Sequence, residues 1–242
     1  MRKSTGDPEG LEREAQVARD QVDRTLHALG ERLFVKRRIG GASSALASAA
    51  TRVSAALCPE ITTMIRLDHT HILLACRRYR WYLSPIRKTG LVAHVCLALD
   101  VHAQLEEEIF YSALFSNCGD TPDLDRSISE HDEMRLVIQT LREMPACNPR
   151  YDHTFYRLVR LVLHHVADEE TTLLPLAESK LRPQLRGLGW KMAVRRAQLL
   201  RPHAAEAART TAMTFPLLMG ALAVGLISLG WVLIRHATVA RQ

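Results

Sequence analysis

The chain reads as an all-α protein: a four-helix bundle with an N-terminal amphipathic helix and a C-terminal transmembrane helix. Three observations predict this. Apolar residues recur at steps of three and four in successive stretches, and no sustained alternation of period two marks strands. The 242 residues are 47% hydrophobic but only 5% aromatic, as suits helices rich in Ala and Leu. Residues 210–234 form an uncharged run, TTAMTFPLLMGALAVGLISLGWVLI.

The length admits one domain with appendages. The pattern divides it into an N-terminal amphipathic helix and linker (1–58), a bundle (59–179), a basic juxtamembrane helix (180–209), a membrane span (210–234) and a short tail (235–242). Five scattered cysteines without a CxxC pair point away from a disulfide frame or a structural zinc site. The net charge of +6 is local. Residues 180–209 hold eight Lys or Arg against Glu206, giving +7, and Arg235 with Arg241 add +2, so residues 1–179 sum to 6 − 9 = −3.

In the first stretch Leu11, Ala15, Ala18, Val22, Leu26, Leu29 and Leu33 make one apolar stripe, which predicts a helix ended near VKRRIGG. That stripe could pair with a second copy, dock on the basic C-terminal helix, or lie on a membrane. Pro59 is placed to open the first bundle helix, whose inward stripe is Ile61, Ile65, His69, Ile72, Cys76 and Tyr79. His71, about 200° further round, lies off that stripe. The second helix follows Ser84-Pro85 and reads LVAHVCLALDVHAQLEEEIFYSAL, with His102 and Glu106 a turn apart on its apolar face. Thr121 and Pro122 are an N-cap and first helical residue for the third helix. Its inward side is Leu124, Ile128, His131, Met134 or Arg135, Ile138 and Leu141. The fourth runs from Tyr151 to about Ser179 and repeats the HxxxE spacing with His165 and Glu169.

Each of the four helices thus brings an inward histidine, and the second and fourth add a carboxylate. Buried imidazoles and carboxylates need partners. Bundles build two-metal sites from carboxylate and histidine a turn apart on facing helices. The predicted metal residues are His69, His102, Glu106, His131, His165 and Glu169. Nitrogen and oxygen donors without a thiolate suit iron or manganese better than structural zinc. His94 is a candidate supplementary ligand, and His164 competes with its neighbour His165.

A helix over 210–234 would reach about 37 Å, enough for a hydrocarbon core of about 30 Å. The basic excess on its N-terminal side predicts a single-pass cell-membrane protein whose metal domain faces the cytoplasm. The same basic residues could be a nucleic-acid footprint, but beside an apolar span they are better read as topology signals and lipid contacts, with no nucleic acid bound. Ala221 and Gly225 make a small-residue pair compatible with a homo-oligomer.

The strings LDHTH, VHAQLEEEIFYSAL, EHDEMR and LHHVADEETTLLP resemble the hemerythrin-like, or HHE cation-binding, domain. The resemblance implies an antiparallel bundle around two non-haem iron ions, with Glu106 and Glu169 bridging and the four histidines as terminal ligands. Oxygen-carrying hemerythrins have a further histidine where this chain has Arg135. Six ligands would leave an open position, to be filled by water, substrate, Glu107 or Glu130. Beside a bundle without metal that serves as a scaffold, two functions stay open. One is a membrane-tethered di-iron module that binds or senses oxygen, nitric oxide, peroxide or iron itself. The other is a di-iron enzyme that decomposes peroxide or nitric oxide, or an iron donor for cluster repair.

Overall fold

The computed structural model describes residues 8–35 and 58–205, with side chains of 32–35 set aside. The linker after α1, the expected membrane span at 210–234 and the tail lie outside the described residues. Among those described, all regular structure is helical, and no helix is long and apolar enough to cross a membrane.

The helices are α1 (Pro8–Val35), α2 (Ile61–Arg77), α3 (Pro85–Leu105), a π-helical turn (Glu106–Tyr111), α4 (Ser112–Cys118), α5 (Pro122–Glu143), α6 (Tyr151–Thr171), α7 (Leu173–Lys180) and α8 (Leu185–Leu200). Several ends follow the local chemistry. Pro85 and Pro122 sit in the first turns of α3 and α5, where their missing N–H costs nothing, and the Thr121 Oγ1 accepts from the Leu124 N–H at 3.3 Å. Gly119, at φ 76°, stops α4 in a conformation that suits glycine.

The expected fourth helix is broken in two. Pro175 cannot donate to the carbonyl four residues back and crowds it, so the chain kinks at Thr172 (φ −120°, ψ −69°) before α7 begins. The first bundle helix also starts later than expected, at Ile61, with Glu60 as its extended cap. On α5 the inward side differs by one position: Ser127 is buried and Ile128 is 38% exposed.

Pairings across the bundle show that consecutive long helices run antiparallel. Near one end Asp152, at the start of α6, accepts from the Tyr79 hydroxyl just beyond α2 at 2.7 Å and from Lys88 at the start of α3 at 2.6 Å. Toward the other end Arg66, early in α2, reaches Glu170 at 3.0 Å and Glu178 of α7 at 2.6 Å. Two apolar clusters fill the interior. On α2 one cluster holds Ile61 and Ile65 and the other Ile72 and Cys76, with His69 between them. His102 and His131 fall in the same gap on their own helices, and His165 lies at the edge of the first cluster, beside Val166. A polar layer is therefore sealed above and below by aliphatic and aromatic side chains, each contributing roughly 1.5–3 kcal/mol by leaving water.

Two further helices belong to this packed body. The stripe of α1 neither faces solvent nor meets the basic helix: Leu11, Ala15, Ala18, Val22 and Leu29 are buried against α2 and α6. Glu14 takes His153 Nδ1 at 2.7 Å and pairs with Arg160, while Arg77 pairs with Asp23. The basic segment contains α8, which lies on α2 and α3 and buries Leu185, Leu188 and Met192. Gly189 makes that approach possible, since a Cβ there would stand 2.2 Å from the Pro59 carbonyl oxygen. Two of the charges read as topology signals are used in this docking. Arg196 grips both Asp68 oxygens at 2.5 Å, and Arg195 reaches Glu108 at 2.6 and 2.9 Å.

Candidate metal centre

The helical period turns His69, His102, His131, His165, Glu106 and Glu169 to the bundle axis, and all six are buried, none above 3% exposed. Their inner atoms converge. Glu106 Oε2 lies 3.3 Å from His102 Nε2, 3.4 Å from His131 Nε2 and 3.8 Å from His165 Nε2. Glu169 Oε2 lies 3.3 Å from His69 Nε2 and 3.7 Å from His165 Nε2. Two ligand-like groups result, sharing His165: His69, His102, His165 and Glu169 in one, Glu106, His131 and His165 in the other, each with its ligand atoms within 4.8 Å of one another.

The ring nitrogens on the other side each face a further acid. His69 Nδ1 meets Glu170 at 3.3 Å, His102 Nδ1 lies 3.7 Å from Asp68, His131 Nδ1 meets Glu107 at 2.8 Å and His165 Nδ1 meets Glu130 at 3.0 Å. The rule behind this is angular. Each outer acid is the chain neighbour of an inward residue and so stands about 100° round the helix from it, toward the adjacent helix. Asp68 beside His69 serves α3, Glu107 beside Glu106 serves α5, Glu130 beside His131 serves α6, and Glu170 beside Glu169 serves α2. The four run from helix to helix in a closed circuit, in which three links are hydrogen bonds and the fourth, His102 Nδ1 to Asp68, is a longer contact. Three are backed by guanidinium groups: Glu170 by Arg66, Asp68 by Arg196, and Glu107 by Arg135, which donates to both its oxygens at 2.7 Å. Glu107 and Glu130, expected as fillers of an open position, instead hold histidines from outside. Arg135 likewise points at Glu107 rather than into the centre.

This circuit decides what the inner atoms can do. An imidazole that gives its Nδ1 hydrogen to a carboxylate presents a bare lone pair at Nε2. His131 Nε2 and His165 Nε2 face each other at 3.2 Å, an approach two lone pairs do not tolerate without a proton or cation between them. Both oxygens of Glu106, Glu169 Oε2, His69 Nε2 and His102 Nε2 are buried with no hydrogen-bond partner. Orphaned groups of this kind cost roughly 1–3 kcal/mol each, more when charged, unless something binds them. Burial and the charge of Glu169 push the Glu106 carboxyl well above its usual range. Burial also works against ionised Glu169, but His165 and His69 outweigh it and hold that carboxyl down. A cationic occupant resolves every one of these conflicts, so the donor set fits metal ions.

Tyr111 was not foreseen. The π turn carries it inward, where its hydroxyl donates to Glu169 Oε1 at 2.7 Å and its ring stacks on His131 at 5.6 Å. Glu169 is thereby held with one oxygen tied and the other turned to the histidines. Of the alternatives left open, His164 is outside the layer with its side chain 66% exposed. His94 is 6% exposed but pairs Nε2 to Nε2 with His71 at 3.0 Å, away from the six. These two rings and His102 line a cavity of about 180 Å3 between α2, α3 and α8, walled by Ile72, Leu97, Val101 and Leu200.

The chain is similar over 149 residues, at 26% identity, to a protein of Nostoc sp. (strain PCC 7120) described as a DNA nickase. The match covers 61% of this chain and 42% of that protein, so the chain spans less than half the length of this curated relative. No solved structure matches the chain. Residues 60–177 match the Hemerythrin family, described as the Hemerythrin HHE cation binding domain. The buried histidine and glutamate layer lies wholly within those limits, so the region that is similar to a hemerythrin HHE cation-binding domain holds all six residues.

Proposed function

We propose that this domain holds two non-haem iron ions, which His69, His102, His131, His165, Glu106 and Glu169 would hold between them. The protein would use the pair to bind or sense oxygen, nitric oxide, peroxide or iron at a membrane. The observation that carries this reading is the set of buried nitrogens and oxygens without hydrogen-bond partners that converge in two groups with ligand atoms within 4.8 Å of one another. Iron held by nitrogen and oxygen donors supplies open positions for small ligands and a one-electron couple. The chain's own part is preparation. Outer carboxylates fix the ring orientation, Tyr111 fixes Glu169, and the two apolar clusters keep water out. The cavity beside His102 is large enough for a few small molecules and offers a neutral ligand apolar walls next to that ring. Membrane attachment is proposed from the sequence, through the uncharged run at 210–234 behind a basic flank.

Metal analysis of the purified full chain tests the core. About two irons per chain are expected, falling below one in Glu169→Ala, with spectral changes on adding oxygen, nitric oxide or peroxide. Fewer than half an iron per chain after anaerobic loading would overturn it. Stoichiometric binding without turnover would favour a sensor, and sustained peroxide or nitric oxide loss an enzyme. A second reading, cleavage of DNA strands, is favoured only by the Nostoc relative's description. Iron-dependent conversion of supercoiled plasmid to open circles, abolished by Glu169→Ala, would establish it.

A further inference from the structure

The doublet His164-His165 gives the core only its second member, and the first has surroundings of its own. His164 Nε2 stands 3.6 Å from Glu130 Oε1 and 3.9 Å from Asp168 Oδ2, and the three ligand atoms fall within 4.8 Å of one another. His164 and Asp168 are a turn apart on α6, and Glu130 comes from α5. From this juxtaposition we propose a further metal site, separate from the buried layer, that binds one divalent first-row cation through His164, Glu130 and Asp168.

Three features argue for a ligand rather than a chance cluster. Glu130 is positioned in advance: His165 Nδ1 occupies its Oε2 at 3.0 Å, so Oε1 is turned outward. That outward oxygen is buried and has no hydrogen-bond partner. Separations near 3.6–3.9 Å also leave room for one ion at ordinary bond lengths of about 2.1 Å. One imidazole and two carboxylates match manganese(II) or iron(II), with the remaining positions open to water because His164 is largely exposed. Arg126 opposes binding, since its Nε lies 3.2 Å from the same Asp168 oxygen, and it sets the site below the core in affinity.

Manganese(II) is the probe, added to the full-length iron-loaded protein and followed by loss of the free-ion electron paramagnetic resonance signal. One equivalent per chain should bind, with affinity at least tenfold lower in His164→Ala and in Asp168→Asn, and higher in Arg126→Gln. Neither His164 nor Asp168 touches the inner atoms of the buried layer, so the iron content of each variant should equal that of the parent. That separate reading reports on the core and not on this site. No manganese bound by the parent, or binding unchanged in His164→Ala, would overturn the proposal.

Discussion

Arg135 shows how one side chain can act on a centre it does not touch. It clamps Glu107, and Glu107 clamps His131. Arg135→Ala should therefore leave the helix content intact and weaken metal affinity by less than the roughly tenfold expected for losing Glu107 itself, with a measurably faster loss of metal to a chelator. An unchanged stripping rate would show that His131 keeps its orientation without the clamp. The six inward residues were legible because they share the apolar stripes of their helices. The outer acids were not assigned their partners, because each stands off its own stripe and serves another helix. His94 carries a different consequence. Burial first, and then His71, lower its pKa to about 4 from an ordinary 6.5. Between those values the unfolded chain takes up the proton and the folded chain does not, so stability falls as pH drops from 6.5 toward 4. Denaturant midpoints should drop less over that interval in His94→Gln than in the parent. Equal slopes would remove His94 as a cause.

At the level of elements, Ser84-Pro85 and Thr121-Pro122 marked the starts of α3 and α5 in advance, while the π turn left no comparable sign. In an α-helix Tyr111, five residues after Glu106, would point about 140° away from it. The wider turn brings it round to Glu169, and such turns often sit at functional sites. The helical period alone does not show this, because one added residue barely disturbs it. The docking of α8 was equally hidden, since its basic residues suggested a membrane flank before their partners Asp68 and Glu108 were in view. Gly189→Ala tests that docking. The added carbon meets the Pro59 carbonyl, backbone that yields only by shifting the helix. A loss of roughly 1–3 kcal/mol in unfolding free energy is expected, with faster proteolysis between α7 and α8. Unaltered stability would mean that α8 rides on its ion pairs alone.

Across the described residues, the family match ends at residue 177, yet α1 before it and α8 after it complete the packed body. With the stripe of α1 covered, the membrane attachment proposed above rests on the uncharged run at 210–234. A chain ending at residue 209 should move from the membrane pellet to the supernatant in fractionation. Retention in the pellet would shift attachment from the apolar run to surfaces of the folded body. The circle of acids reaching from each helix to the next has no first member and no last. Dislodging any one helix unsettles two imidazoles, its own and its neighbour's, so the two irons proposed above should depart together in a single step rather than one at a time.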